Sequence, residues 1–397
     1  MITARGVEGA DVAIQDGRIT GVGPDLDADG EEIDANGLHV FPGGIDSHVH
    51  FNEPGRTEWE DIAHGSAALA AGGYTAFVDM PLNNLPVTTT VEAFDVKVAA
   101  MQRSARVAYG LWGGLVPGNL DQIKPLVERG VMGFKAFTCP SGIEEFPACD
   151  KHMLREGMER IAELDSILLV HAEDPALLRE PKGPTVIDFL ESRPPEAEVS
   201  AIQQLVDLSA QTGCRVHVVH VSTVAGAALL GGNVSGETCP QYMVYTADDM
   251  ERIGGTAKCA PPFRNERMPL MSIVVSDHSP STLALKQGND FRKIWGGISG
   301  CQSTRQLLLA QDGLDPLTVA TVTSTDVARR FRIEGKGDIA PGFDADLWLV
   351  DLRHVDVIRR DDLLYRNPFS VHEGQRIRGK TVRLLARGGF IRPGVRL

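Results

Sequence analysis

The sequence predicts an α/β chain: a closed (β/α)8 barrel with a small composite β-sandwich formed by both chain ends. Two observations predict it. From Ile45 onward, short apolar strand-like segments alternate with helix-like runs, and this alternation builds parallel sheets. At each end of the chain the pattern changes to short strands separated by turn residues, in sets too small to bury a face alone.

The strand-like segments are Ile45–His50, Tyr74–Met80, Val107–Trp112, Gly133–Phe137, Ile167–His171, Arg215–Val221, Glu237–Cys239 with its flanks, and Ile273–Asp277. Helix-like runs fall at Glu58–Ala71, Val91–Met101, Lys151–Leu164, Ala197–Thr212 and Gln302–Gln311. His48 and Asp277 are 229 residues apart. Over seven βα steps that is about 33 residues each, close to the roughly 31 of a ~250-residue barrel. Asp16-Gly17 between alternating apolar residues is a hairpin signal near the N-terminus. After a helical run at Leu317–Arg332, strands return with turns at Pro341-Gly342 and Gly388-Gly389. The expected organisation is residues 1–44 and 334–397 in the sandwich and residues 45–333 in the barrel.

Composition narrows the function classes. A hydrophobic fraction of 43% and a charged fraction of 23% are ordinary for a globular protein. The formal net charge of −14 argues against nucleic-acid or anionic-membrane partners, which select basic surfaces. No apolar run approaches the ~18 residues of a membrane span, and the first residues lack a signal-type apolar core. The 6 cysteines form no CxxC pair, so reduced thiols in a cytoplasmic protein are expected.

The chemistry-bearing residues stand at strand ends. His48 and His50 are two apart, so in a strand both project to one face and can share a metal ion. Lys135 lies inside the apolar run GFKAF, where a bare ammonium is costly. His171 ends ILLVH, His220 ends HVVH, and Asp277 ends SIVVSD. A core histidine bonded to a carbonyl explains any one of these alone. Five barrel strands, each ending in a metal-binding or basic group, converge on one mouth.

Taken with these residues, the chain resembles the amidohydrolase superfamily, in its cyclic amidase branch of dihydroorotases, hydantoinases and allantoinases. The resemblance covers nearly the whole chain. It implies two divalent metal ions, with His48, His50 and Asp277 on the first and His171 and His220 on the second. It implies that Lys135 is carboxylated and bridges both. Charge balance agrees: two divalent cations bring four positive charges, and a carbamate, Asp277 and hydroxide supply three negative ones. Such a donor set suits zinc and accepts cobalt, manganese or iron. Asp277 is then the proton shuttle, and a homo-oligomer, a tetramer by analogy, is expected.

Asn52 takes the place of the arginine with which the dihydroorotases clamp a substrate carboxylate. A neutral ring is therefore expected. The runs HVHFNEPGRTEWED, DMPLNNLPVTTT, SGIEEFPACD, KCAPPFR and WGGISGCQST resemble allantoinases, so the expected reaction is hydrolytic opening of allantoin. By family position Asn52, Ala260, Gly300, Gln302 and Ser303 face the ring, with Asn83 and His278 as further contacts.

Three departures from the pattern bear on this reading. Gln241 replaces the histidine of a CPHY motif and cannot act as an acid or base near neutral pH. Eight residues, 265–272, join Arg264 to Ile273, too few for a crossover, so barrel closure beside Asp277 is expected to suffer. The stretch Pro175–Pro195 is shorter than usual, and the first strand of the small domain reads as clipped at Met1. A hydantoinase or dihydropyrimidinase, or an inactive scaffold paralogue, are the alternatives; metal binding and substrate choice separate them.

Overall fold

The computed structural model describes residues 1–4, 6–26, 30–387 and 389–390. Near the N-terminus β1 (Asp11–Gln15) and β2 (Arg18–Gly23) pair antiparallel. Their turn uses positive φ at Asp16 (52°) and Gly17 (78°), the geometry that makes Asp-Gly a hairpin signal. Strand β3 (His39–Pro42) follows and leads directly into the first barrel strand.

The barrel strands are β4 (Gly44–Val49), β5 (Tyr74–Asp79), β6 (Ala108–Leu111) with its continuation β7 (Gly113–Gly114), β8 (Phe134–Phe137), β9 (Ile167–His171), β10 (Arg215–Val218) and β11 (Val234–Gly236). All pair in parallel, in the arcs β4-β5-β6 and β7-β8-β9-β10-β11. Trp112 joins the arcs: its N–H donates to the Asp79 carbonyl at 3.0 Å. Between strands run α1 (Ile62–Ala71), α2 (Val91–Ser104), α3 (Ile123–Arg129), α4 (Lys151–Glu163) and α5 (Pro195–Thr212). Side chains of Asp61, Thr90 and Asp150 cap α1, α2 and α4 by accepting a backbone N–H three residues on.

The eighth position corrects the sequence reading. Val274–His278 forms single parallel bridges, Thr238 to Val274 on one side and Val49 to His278 on the other, rather than a regular strand. Two local features explain this. Asp277 takes φ 45°, which interrupts extended backbone. The Ser276 N–H is also drawn to Asp46 Oδ1 at 3.3 Å instead of joining a ladder. The seventh strand likewise ends at Gly236, just before the expected Glu237–Cys239.

The short link does not open the ring. The crossover runs from Thr238 to Val274 and includes the helical turns Pro240–Val244 and Ala247–Ile253, so residues 265–272 form only its last, extended part. Met268 N–H anchors that part on the Tyr242 carbonyl at 2.8 Å. A further support comes from the expected helix Leu317–Arg332. It contains a widened π-turn at Thr321–Thr325, and the Val322 carbonyl there accepts the Val274 N–H at 3.0 Å.

Strands β12 (Leu347–Val357) and β13 (Arg376–Ala386) pair antiparallel, and β12 also pairs with β3, placing Trp348 opposite Phe41. The β1–β2 hairpin joins the C-terminal half through Ala345 N–H on the Gly17 carbonyl at 2.9 Å. Both chain ends therefore build the small unit. The expected turn at Gly388-Gly389 lies partly outside the described residues. Buried Arg305 fastens this unit to the barrel: its guanidinium stacks 4.3 Å from the Trp348 ring centroid. It donates to the Gly73 carbonyl at 2.7 Å and the Pro42 carbonyl at 3.2 Å. Gly73 is required there, because its φ is 85° and an added Cβ would lie 2.4 Å from the Trp348 ring.

Candidate metal and catalytic site

The six residues singled out from the sequence meet at the C-terminal mouth of the barrel, and all are buried. His48 Nε2 lies 3.2 Å, and His50 Nε2 3.6 Å, from the same oxygen of Asp277. These three side chains form one candidate metal group. Across the mouth, His171 Nδ1 faces His220 Nε2 at 3.0 Å. The two sets adjoin: the His48 and His220 ring centroids are 5.5 Å apart. His220 (φ 41°) and Asp277 (φ 45°) both adopt the left-handed region, a strained backbone of the kind that collects at functional sites.

Electrostatics favour neutral ligands. Burial, followed by the charges of Lys135 and neighbouring histidines, holds His48 well below the ordinary histidine range; burial does the same for His220. A neutral imidazole keeps the lone pair a metal needs. Lys135 is 1% exposed, and its Nζ has no hydrogen-bond partner among the described residues. Burial lowers its pKa to about 7, so the amine is part neutral at physiological pH. The His48, His50 and Asp277 donors fit a metal ion.

Outer groups hold these side chains in place, and sequence reasoning missed them. Glu237 Oε1 lies 2.6 Å from His48 Nδ1, and its other oxygen lies 3.0 Å from His217 Nε2. Burial pushes Glu237 up to about 8. Glu173 Oε2 lies 2.7 Å from His171 Nε2, and Arg193 donates to both Glu173 oxygens. Burial pushes Glu173 up, but the Arg193 guanidinium and His171 together outweigh it and hold the carboxyl well below its usual range. The loop after β4 is pinned by Asp79 Oδ1, which accepts the Phe51 N–H at 2.7 Å. Each of these acids stands at or just beyond a strand end, the signal that identified the ligands themselves.

The proposed substrate contacts divide. Asn52 is 0% exposed, and neither its Nδ2 nor its Oδ1 has a partner among the described residues. Asn83 takes φ 75° and brings Nδ2 within 3.3 Å of His50 Nδ1. Gln302, by contrast, donates to the Asp362 carbonyl and accepts from the Leu364 N–H, both at 2.8 Å, which commits its side chain to the C-terminal segment. Ser303 Oγ is turned to the Gly300 carbonyl at 3.4 Å. His278 accepts the Gly300 N–H at 3.2 Å and sets Nε2 3.4 Å from Glu60, so both ring nitrogens are engaged within the fold. Ala260 is half-buried beside Pro261, whose carbonyl accepts the Tyr242 hydroxyl at 2.8 Å. Gln241 is fully buried, with neither side-chain amide atom bonded among the described residues.

Comparison with known proteins places this geometry. The model of the family described as "Amidohydrolase family" matches residues 39–380. An allantoinase from Rubrobacter xylanophilus is 47% identical, covering 99% of this chain and 92% of its own. An allantoinase from Solibacter usitatus is 45% identical over 98% of this chain and 92% of its own. Among solved structures, an L-hydantoinase (dihydropyrimidinase) from Arthrobacter aurescens superposes with a TM-score of 0.94 at 29% identity, covering 99% of this chain and 94% of that one.

Proposed function

The chain belongs to the amidohydrolase family, and from that membership we propose that it opens the ring of allantoin by hydrolysis, giving allantoate. The observation that carries this reading is the convergence of His48, His50, Asp277, His171 and His220 beside the unpartnered Lys135 Nζ. Similarity to allantoinases along nearly the whole chain supports the choice of ring. Asn52 supports it too, offering an amide with no charge where an anionic substrate needs a guanidinium.

Two divalent ions, zinc by donor type, would be held by His48, His50 and Asp277 and by His171 and His220, with a carboxylated Lys135 as a further ligand. When bound they supply Lewis acidity and a water acidified to near neutral pH. The neutral Lys135 amine adds to the carbon of CO2; an N–C bond forms, an electron pair moves to oxygen, and one proton leaves to solvent. Asp277 accepts a proton from the attacking water as the C–O bond forms. It returns that proton to the ring nitrogen as the C–N bond breaks. Asn52 and Asn83 hydrogen-bond the ring and orient its carbonyl.

Three further features belong to the proposal: a homotetramer, a cytoplasmic location, and the division into residues 1–44 and 334–397 against 45–333. Among the described residues no helix is long and apolar enough to cross a membrane. The fold's likeness to a hydantoinase favours one second reading, opening of hydantoin or dihydropyrimidine rings.

The test is to purify the protein with zinc and bicarbonate, count metal per chain, and assay allantoin against hydantoin, dihydrouracil and dihydroorotate. About two ions per chain with allantoin opened preferentially is the expected result. Preference for another ring overturns the substrate, and absence of both metal and turnover overturns the enzyme reading.

A further inference from the structure

Each half of the proposed centre has one histidine whose outward nitrogen is held by a fully buried glutamate. On the first half, Glu237 Oε1 lies 2.6 Å from His48 Nδ1, which turns His48 Nε2 toward Asp277 at 3.2 Å. On the second, Glu173 Oε2 lies 2.7 Å from His171 Nε2, which turns His171 Nδ1 toward His220 at 3.0 Å. The two histidines are thus presented through opposite ring nitrogens. Both glutamates are 0% exposed, so neither is a surface acid that happens to lie nearby.

The glutamates are themselves fixed, in different ways. Glu237 is bracketed by His217, whose Nε2 lies 3.0 Å from the second oxygen and whose Nδ1 lies 2.7 Å from Ser235 Oγ. Glu173 is gripped by Arg193, with Nε 3.1 Å from one oxygen and a terminal nitrogen 2.5 Å from the other. Arg193 belongs to the abbreviated 175–195 stretch, and its carbonyl accepts from Arg264 at 2.5 Å. That stretch thus supports a site histidine through one partly buried ion pair.

A neutral imidazole has a single N–H, so a carboxyl oxygen accepting from one nitrogen, in either charge state of the acid, leaves the lone pair on the other. An acceptor on the far side also strengthens the ring as a donor. We propose that Glu237 and Glu173 are positioning residues, each dictating which nitrogen of one histidine faces the cluster and each governing occupancy of a different half. This rests on the two-ion reading above.

The experiment compares wild type, Glu237→Gln, Glu173→Gln and the double variant, each stripped and titrated with zinc against a chelator, with circular dichroism on the apo forms. Each single variant is expected to keep the apo spectrum and one tight ion, while the other ion weakens about 10- to 100-fold. The double variant weakens both. Glu237→Asp and Glu173→Asp, with the carboxylate one methylene short, are expected to keep part of the affinity that the Gln variants lose. Two ions bound with unchanged affinity in both single variants overturns the proposal. A wild type that binds no ion overturns the two-ion reading instead. Should the Gln variants not fold, histidine-selective 15N spectra of the apo wild type decide it. His48 protonated at Nδ1 and His171 at Nε2 is the expected pair of tautomers, and the reverse in both overturns the idea.

Discussion

Lys97 Nζ lies 2.8 Å from Asp79 Oδ2, with both side chains 0% exposed. The pair connects α2 to the end of β5, and it does more than neutralise itself. Lys97 also donates to the Phe51 carbonyl at 2.5 Å and the Glu53 carbonyl at 2.7 Å, while Asp79 accepts the Phe51 N–H. Both faces of the backbone beside Asn52 are therefore fixed by one ion pair, directly after the two histidines.

Substituting Lys97 by Met strands the Asp79 carboxylate in the interior. Removing one partner of a buried pair typically costs about 3–5 kcal/mol, whereas replacing both partners is cheaper. Lys97→Met is expected to lower the urea midpoint strongly, and adding Asp79→Asn should recover part of the loss. Both variants should lose turnover more than stability alone explains, because the 51–53 backbone is released. Equal midpoints for Lys97→Met and wild type would remove the pair from any structural role.

Much of this was legible in order along the chain and little of it across the chain. The pattern of a polar residue closing an apolar strand picked out His171, His220 and Asp277, and the same pattern is present at Asp79, whereas Glu237 follows the polar run Asn-Val-Ser-Gly. What the pattern lacks is the partner. Asp79 acquires meaning only from Lys97 on the next helix, and Glu237 only from His48, 189 residues earlier. The short 265–272 link was misread for a related reason. Counting residues from Arg264 assumed the crossover began there, whereas the chain leaves its strand at Thr238 and has two helical turns in hand. Periodicity also overstated the eighth strand, since the left-handed turn at Asp277 leaves no trace in the apolar run before it.

Asn52 separates a ligand-binding role from a packing one. Its amide is buried with neither atom bonded among the described residues, a state that costs stability unless something else supplies the partners. Asn52→Leu keeps the branched shape of four heavy atoms and removes both polar atoms. It is expected to leave the melting temperature unchanged or raise it, and to raise KM for allantoin about tenfold, roughly the 1.4 kcal/mol of one good hydrogen bond. A loss of stability with KM unchanged would assign the amide to the fold instead.

Glu60 gives the chain a pH dependence through a buried carboxyl that touches His278. The side chain is 0% exposed; one oxygen accepts the Arg366 N–H at 3.0 Å, and the other lies 3.4 Å from His278 Nε2. Burial raises its pKa from 4.5 to about 8, despite that hydrogen bond. Between those two values the folded chain holds a proton that the unfolded chain has released. The contribution to stability is therefore complete below pH 4.5 and is lost as pH rises through about 8. At about 1.4 kcal/mol per unit, the change across the window is on the order of a few kcal/mol. Glu60→Gln stays neutral and keeps an acceptor for Arg366, so it should lack this decline. Urea midpoints measured from pH 5 to 8 should fall for wild type relative to Glu60→Gln, with the gap widest at the alkaline end. Parallel curves for the two proteins would mean that Glu60 ionises in the folded chain as it does in water, with solvent reaching the contact between the 58–61 loop and the C-terminal segment.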